Sequence, residues 1–345
     1  VFLAREYLPA ARDSIGLAAL PGGTGLYRAL IRQQTTLPLE PDMVHQLGLA
    51  EVARIEGQME GVKAALGFAG PLPAFFEELR RNPAYHPTSE AELARGFTAI
   101  ARRVDAQLPA YFERAPRAPL LIRPYPAYRG RFEAGGGYEP AGSETTPGVF
   151  RFNTFDLGNR FLTGMTTLYL HEGAPGHHFQ IALAAENTEL PDFQRQGGNT
   201  AFVEGWALYA EQVIDESGLY DDDPWSRLGY LQAQQFRACR LVVDTGLHAM
   251  GWSREQSVDF LCNETGKGRG AMTSETDRYC AGPGQACGYK MGHNEIIRQR
   301  ARVQKALGRH YDLAAFNDMV VATGGVPLEL LDGVVGGWLA GKRRG

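Results

Sequence analysis

Helical spacing is the feature that most limits what this chain can become. Over Pro41–Leu66 the apolar residues Val44, Leu47, Val52, Ile55, Met59, Val62 and Leu66 recur at steps of three to five, which places one buried stripe along a long amphipathic helix. Start and stop signals repeat the theme. Ser89 with Glu92 forms a capping box opening a helix toward Leu108, and Ser253 with Gln256 forms another. Asp223-Pro224 supplies an N-cap and a proline at the first helical position, for a helix running to about Met250. Gly282-Pro283-Gly284 separates two later helices, and Gly324-Gly325 with Pro327 stops another. The expected fold is mainly α, one mostly helical domain over residues 1–345. With 44% hydrophobic residues in 345 positions, such a chain can bury a large core and is not disordered.

One region departs from the helical habit. From Pro116 to Pro147 the chain is rich in Pro, Gly and Tyr and reads as a long ordered loop; its Gly135–Gly137 run lacks the lysine-serine ending of a phosphate loop. The following Val149–Asn153 reads as a short strand, a small β element just upstream of the most functional-looking part of the chain. A net charge of −4 without a basic block argues against nucleic acid as a partner. No apolar run reaches the roughly 18 residues of a membrane span. The four cysteines, Cys239, Cys262, Cys280 and Cys287, do not have zinc-ribbon spacing and read as buried thiols, with Cys280–Cys287 the first pair to test for a bridge.

The chemistry concentrates in His171-Glu172-Gly173-Ala174-Pro175-Gly176-His177-His178, at the end of an apolar helical run. A zinc-peptidase helix carries His-Glu-x-x-His, in which four-residue spacing puts both imidazoles on one face and the glutamate serves as base. Here the second histidine comes six residues after the first, a rotation of about 120° in an unbroken helix. Pro175 changes that expectation, because its ring clashes with the carbonyl of residue i−4, which is His171. Gly173 and Gly176 admit backbone angles that other residues resist. A kink or bulge there would turn His177 back toward His171. His178 shares a face with His171 but stands about 10.5 Å further along a continuous helix, so His177 is the favoured partner and His178 the reserve.

A third ligand should be a carboxylate from another element, with a fourth position left open for water. Glu204 interrupts a nearly continuous apolar helix, Ala201–Glu211, where an unpaired carboxylate would be costly to bury. Glu211, seven residues on along the same face, is placed to orient a ligand from behind. Arg240, Asp244 and His248 follow at steps of four among apolar residues, and read either as a buried structural network or as site residues. Arg278, Gln285, Tyr289 and Lys290 add donors. Peptide hydrolysis around zinc would use a phenol toward the oxyanion and a cation toward a substrate carboxylate.

On these runs the chain resembles a bacterial family, domain of unknown function 885 (DUF885), whose members look like helical zinc peptidases of the gluzincin kind. The matching segments are Leu49–Ile55, His171–His178, Val203–Glu211, Arg240–His248 and Pro283–Ala286. The resemblance implies a zincin-like helical domain with one Zn2+ on His171, His177 and Glu204, and Glu172 as general base. It also implies that the chain is the C-terminal portion of a longer protein, exported or lipid-anchored. The expected function is hydrolysis of short peptides, with Tyr289 or His248 stabilising the oxyanion and Asn153, in the strand 149–153, helping an extended substrate to pair there. Two other readings use the same residues: a non-catalytic peptide-binding relative, and a non-haem iron enzyme on two histidines and one carboxylate.

Overall fold

The stripe that begins at Val44 is buried in a helix spanning Pro41–Ala65, with Ile55 and Met59 wholly shielded from solvent. The computed structural model describes residues 1–142 and 145–342. In chain order α1 is Gly23–Thr35, α2 Pro41–Ala65, α3 Leu72–Arg81 and α4 Glu90–Asp105. Three strands follow: β1 (Leu120–Pro124), β2 (Gly136–Glu139) and β3 (Gly148–Phe152). Then come α5 (Met165–Glu172), α6 (His177–Glu186), α7 (Thr200–Glu216) and α8 (Pro224–His248). The C-terminal part holds α9 (Arg254–Thr265), α10 (Arg269–Ala281), α11 (Gln285–Leu307), α12 (Leu313–Ala322) and α13 (Leu328–Lys342). The fold is mainly α, with 68% of residues helical and one small sheet.

The caps stand where the sequence puts them. Asp223 accepts from the Ser226 backbone N–H at 3.0 Å to open α8, and Ser253 and Gln256 close a reciprocal capping box at the start of α9. At α4 Ser89 accepts from the Glu92 N–H at 3.2 Å, but the Glu92 carboxylate turns to the Thr88 N–H and hydroxyl instead of completing the box.

The middle of the molecule is α7, apolar on nearly every side, as befits a helix enclosed by others. Its tightest neighbour is α11. A Cβ on Gly292 would stand 1.8 Å from the Ala201 carbonyl oxygen, and one on Gly205 would stand 2.4 Å from the Gly292 carbonyl carbon. Only glycine permits that crossing, which brings two polar-bearing helices to backbone contact. On the other side α2 lies along α8, with Gly48 against Leu241 and Val242.

The stretch 116–147, expected to be a loop, instead contributes β1, a helical turn at Ala127–Gly130, and β2; residues 143 and 144 lie outside the described ones. The sheet order is β1-β3-β2, with β3 parallel to β1 and antiparallel to β2. The strand expected at 149–153 is therefore central, paired on both sides, and cannot add a substrate strand. Asn153 falls just beyond it and is a structural residue: its amide donates to the carbonyls of Gly130, Glu133 and Ala134 at 2.8, 2.9 and 2.8 Å. Short, glycine-rich strands carry too little alternation to be read without their partners. All four cysteines are free thiols; Cys239 and Cys287 are buried, while Cys262 and Cys280 are partly exposed. Among the described residues, no helix is long and apolar enough to cross a membrane.

Candidate metal centre

The run His171–His178 does not kink one helix; it ends one and begins another. α5 stops at Glu172 and α6 starts at His177, with a cis Ala174–Pro175 bond between. The return is close. A Cβ on Gly176 would lie 2.1 Å from the His171 carbonyl oxygen and 2.3 Å from that of Leu170. The indole N–H of Trp206 on α7 donates to the Pro175 carbonyl at 2.9 Å, pinning the turn to the central helix. His177 is thereby carried back beside His171, the two rings 4.7 Å apart and nearly perpendicular.

Glu204 on α7 meets them. Its Oε2 stands 3.2 Å from His171 Nε2 and 3.6 Å from His177 Nε2, and the candidate donor atoms of the three residues all lie within 4.8 Å of one another. Tetrahedral zinc with bonds of about 2.0–2.1 Å needs donor atoms roughly 3.3 Å apart, and the two nitrogen–oxygen separations bracket that value. Burial pushes the Glu204 carboxyl up, but the two imidazoles outweigh it and hold it well below the usual carboxylate range. The donor set could therefore hold a metal ion.

Behind His171, its Nδ1 lies 2.8 Å from Glu211 Oε1, and the other oxygen of Glu211 accepts from the Thr167 hydroxyl at 2.5 Å and the Gln234 amide at 3.4 Å. Burial lowers the His171 pKa, yet the hydrogen bonds to Glu204 and Glu211 raise it to about 9. His177 has no such support among the described residues, its Nδ1 being buried with no partner among them. Glu172, 9% exposed, ends α5 next to His171 and accepts no hydrogen bond from any described residue. The Tyr125 phenol is pushed up to about 12 by burial, with the charges of Glu133 and Glu172 adding to it.

His178 turns the other way. Its Nδ1 lies 3.0 Å from the Tyr138 hydroxyl, and its side lines a separate hollow with Phe112, Tyr169 and Phe179 that includes none of the three donors. Burial lowers its pKa to about 4. It is not the reserve ligand.

Two further expectations, for His248 and Lys290, are corrected, and Asp244 takes the structural of its two readings. His248 cannot serve an oxyanion, because both ring nitrogens are used: Nδ1 takes the Leu17 N–H at 3.4 Å and Nε2 meets the Tyr279 carbonyl at 3.0 Å. Asp244 accepts from the Tyr27 hydroxyl at 2.6 Å and the Gly284 N–H at 2.9 Å, tying α8 to α1 and to the start of α11. Lys290 is fully buried and pairs with Glu51 of α2 at 3.0 Å, so it cannot reach a substrate. Each of these partners lies far away in the chain, which is why spacing alone could not name it.

Arg240, by contrast, borders the site, its guanidinium carbon 4.3 Å from the Tyr289 ring centroid. Burial raises the Tyr289 phenol, Arg240 opposes this, and the charge of Glu204 adds to it. Tyr289 is partly exposed. Arg278 binds Glu275 at 2.9 Å and Gln285 at 2.5 Å. Thr167, Gln234, Tyr125 and Tyr138 were missed by sequence reasoning. Thr167 had a signal, one turn before His171 on the same face; the others had none.

A family profile described as "Bacterial protein of unknown function (DUF885)" matches residues 1–335. Two solved structures, each described as a "putative lipoprotein", share the fold. The one from Colwellia psychrerythraea is 38% identical with a TM-score of 0.93 over 98% of this chain and 59% of its own. The one from Shewanella oneidensis, described as of unknown function, is 20% identical with a TM-score of 0.79 over 98% of this chain and 62% of its own. The chain thus spans about three-fifths of each of these longer proteins. A comparison with curated proteins returns no match.

Proposed function

The chain belongs to the bacterial DUF885 family, and on that premise we propose that it is a zinc-dependent peptidase of gluzincin type acting on short peptides. The observation that carries the reading is the meeting of His171, His177 and Glu204, with Glu172 adjoining one of those ligands in sequence and Glu211 holding it from behind. Two histidines and one glutamate leave room for a reacting group in a fourth position. A zinc ion held there supplies Lewis acidity toward water and the scissile carbonyl.

The protein's own residues do the rest. Glu172 accepts the proton of the attacking water and passes it to the leaving amine. The Tyr289 phenol donates to the developing oxyanion, a role that His248 is unable to take. An extended peptide adds to the free edge of the sheet at β2, Gly136–Glu139, rather than to the enclosed β3. The lipoprotein descriptions of the two solved relatives favour an exported setting for the same activity.

The test is metal content together with a peptide-library digest, on the wild type and on Glu172→Gln. One zinc per chain in both, cleavage by the wild type and loss of turnover in the variant are expected. Bound iron in place of zinc, or zinc without any cleavage, would refute the peptidase reading. Full activity of Glu172→Gln would remove the base assignment.

A further inference from the structure

Beside the donor cluster lies a group of cations with too few acids. Glu275 is the one carboxylate shared there: it accepts from Arg240 at 3.1 Å, Arg278 at 2.9 Å and the Tyr279 hydroxyl at 2.6 Å. Among the described residues no carboxylate accepts a hydrogen bond from the side chain of Arg237 or Lys267, although the charge of Glu211 acts on the first and that of Glu275 on the second. Arg237 stands one turn before Arg240 on α8; it donates to its own helix at the Ala233 carbonyl, 3.2 Å, and its Nε is buried with no partner among the described residues. The Lys267 ammonium lies 5.3 Å from the Phe236 ring centroid, and the same ring carries the Arg240 guanidinium at 4.4 Å. Among the described residues, neither Arg237 nor Lys267 makes an ion pair. Burial and the charges of Arg237 and Arg240 bring the Lys267 pKa down to about 8, with Glu275 opposing them and Arg160 adding to them.

Like charges gathered in a partly enclosed place are costly unless an anion joins them. Both Arg237 and Lys267 remain partly open to solvent, so an anion can reach them from outside. Their position relative to the donors follows from shared neighbours. Gln234, one turn before Arg237 on α8, donates to Glu211 at 3.4 Å, and the charge of Arg237 acts on both His171 and Glu211. Tyr289 packs against Arg240 and feels the charge of Glu204. Arg160, whose charge also acts on Lys267, lies against Gly135 at the head of β2, an added Cβ there being 3.5 Å from its Nη1. Arg237 therefore lies on the flank of the donor cluster, with Arg240 and Lys267 sharing the neighbouring Phe236 ring.

We propose that Arg237 and Lys267 anchor a carboxylate of the bound peptide, either its C-terminal group or an acidic side chain, and so make this a site for peptides carrying that charge beside the reacting bond. The inference rests on the peptidase reading for the ligand's class but not for its test. A guanidinium and an ammonium converging on one carboxylate make charge-assisted hydrogen bonds, stronger than neutral ones.

Binding to the metal-free full chain decides it. Three fluorescent N-acylated tetrapeptides are compared: one with a free C-terminal carboxylate, its C-terminal amide, and the amide with glutamate as last residue. At least one carboxylate-bearing peptide should bind about tenfold or more tighter than the plain amide, a gap of about 1.4 kcal/mol. Preference for the first peptide assigns the anchor to the chain terminus, and preference for the third assigns it to a side chain. Arg237→Gln and Lys267→Met should each pull the ratio toward one, while Arg237→Lys keeps part of it. Equal behaviour of the three peptides, whether all bind or none does, overturns the proposal, as does a preference that survives both substitutions. Because the readout is binding, failure of the protein to cleave peptides would defeat the peptidase reading without altering this result.

Discussion

His171 Nδ1 and Glu211 Oε1 stand 2.8 Å apart in a place that Glu211 shares with no solvent at all. A histidine whose outer nitrogen is held by a buried carboxylate has its ring orientation set before any metal arrives, and its inner nitrogen is made a better donor. Glu211→Gln should therefore lower zinc affinity by about tenfold, and Glu211→Ala by up to about a hundredfold. Competition against a chromophoric chelator measures both. An unchanged affinity in Glu211→Ala would show that the pair has no part in metal binding.

Gly176 sits against the carbonyls of Leu170 and His171 with no space for a side chain. Gly176→Ala should push α6 away from the end of α5 and carry His177 off Glu204. Zinc stoichiometry should fall well below one while far-ultraviolet circular dichroism stays near that of the wild type, since the helices themselves do not depend on this contact.

Tyr289 packs under the Arg240 guanidinium, and the charge of Glu204 acts on its phenol. If its phenol serves the oxyanion, Tyr289→Phe should lower kcat by about a hundredfold or more with little change in KM. A rise confined to KM would reassign the residue to substrate binding.

Glu51 and Lys290 join α2 to α11 at 3.0 Å. Burial pushes the Glu51 carboxyl up, but Arg54 and Lys290 outweigh it and bring it down to about 2. A carboxyl lowered in the folded state contributes stability that is fully present above its unfolded pKa. That contribution is lost as pH falls toward the folded value. The fall in Tm between about pH 4.5 and pH 2 should accordingly be shallower in Glu51→Gln than in the wild type, although the variant is less stable at neutral pH. Thermal scans across that range read the difference.

The crossing of α7 and α11 has no room for a methyl group at Gly292. Gly292→Ala should cost about 1–3 kcal/mol, seen as a lower denaturant midpoint at unchanged slope. A neutral effect would mean that the helices separate without loss.

Much of the candidate site could be read from residue order because its logic is local. A proline and two glycines between two histidines dictate that no straight helix joins them, though not that one helix ends and another begins, and Glu204 stands out as an acid in apolar company. The caps of α8 and α9 were equally legible, since a cap involves residues within one turn. Spacing also put Arg240, Asp244 and His248 on one face of α8. It could not tell what that face meets. Asp244 finds Tyr27, His248 finds Leu17 and Tyr279, and Arg240 alone turns to Tyr289. The same limit hid the middle position of β3 and the pairing of Lys290 with Glu51. Periodicity states which side chains share a face of a helix or strand; the partner of that face is chosen when distant elements pack, and backbone contacts such as Gly292 on Ala201 set how they do so.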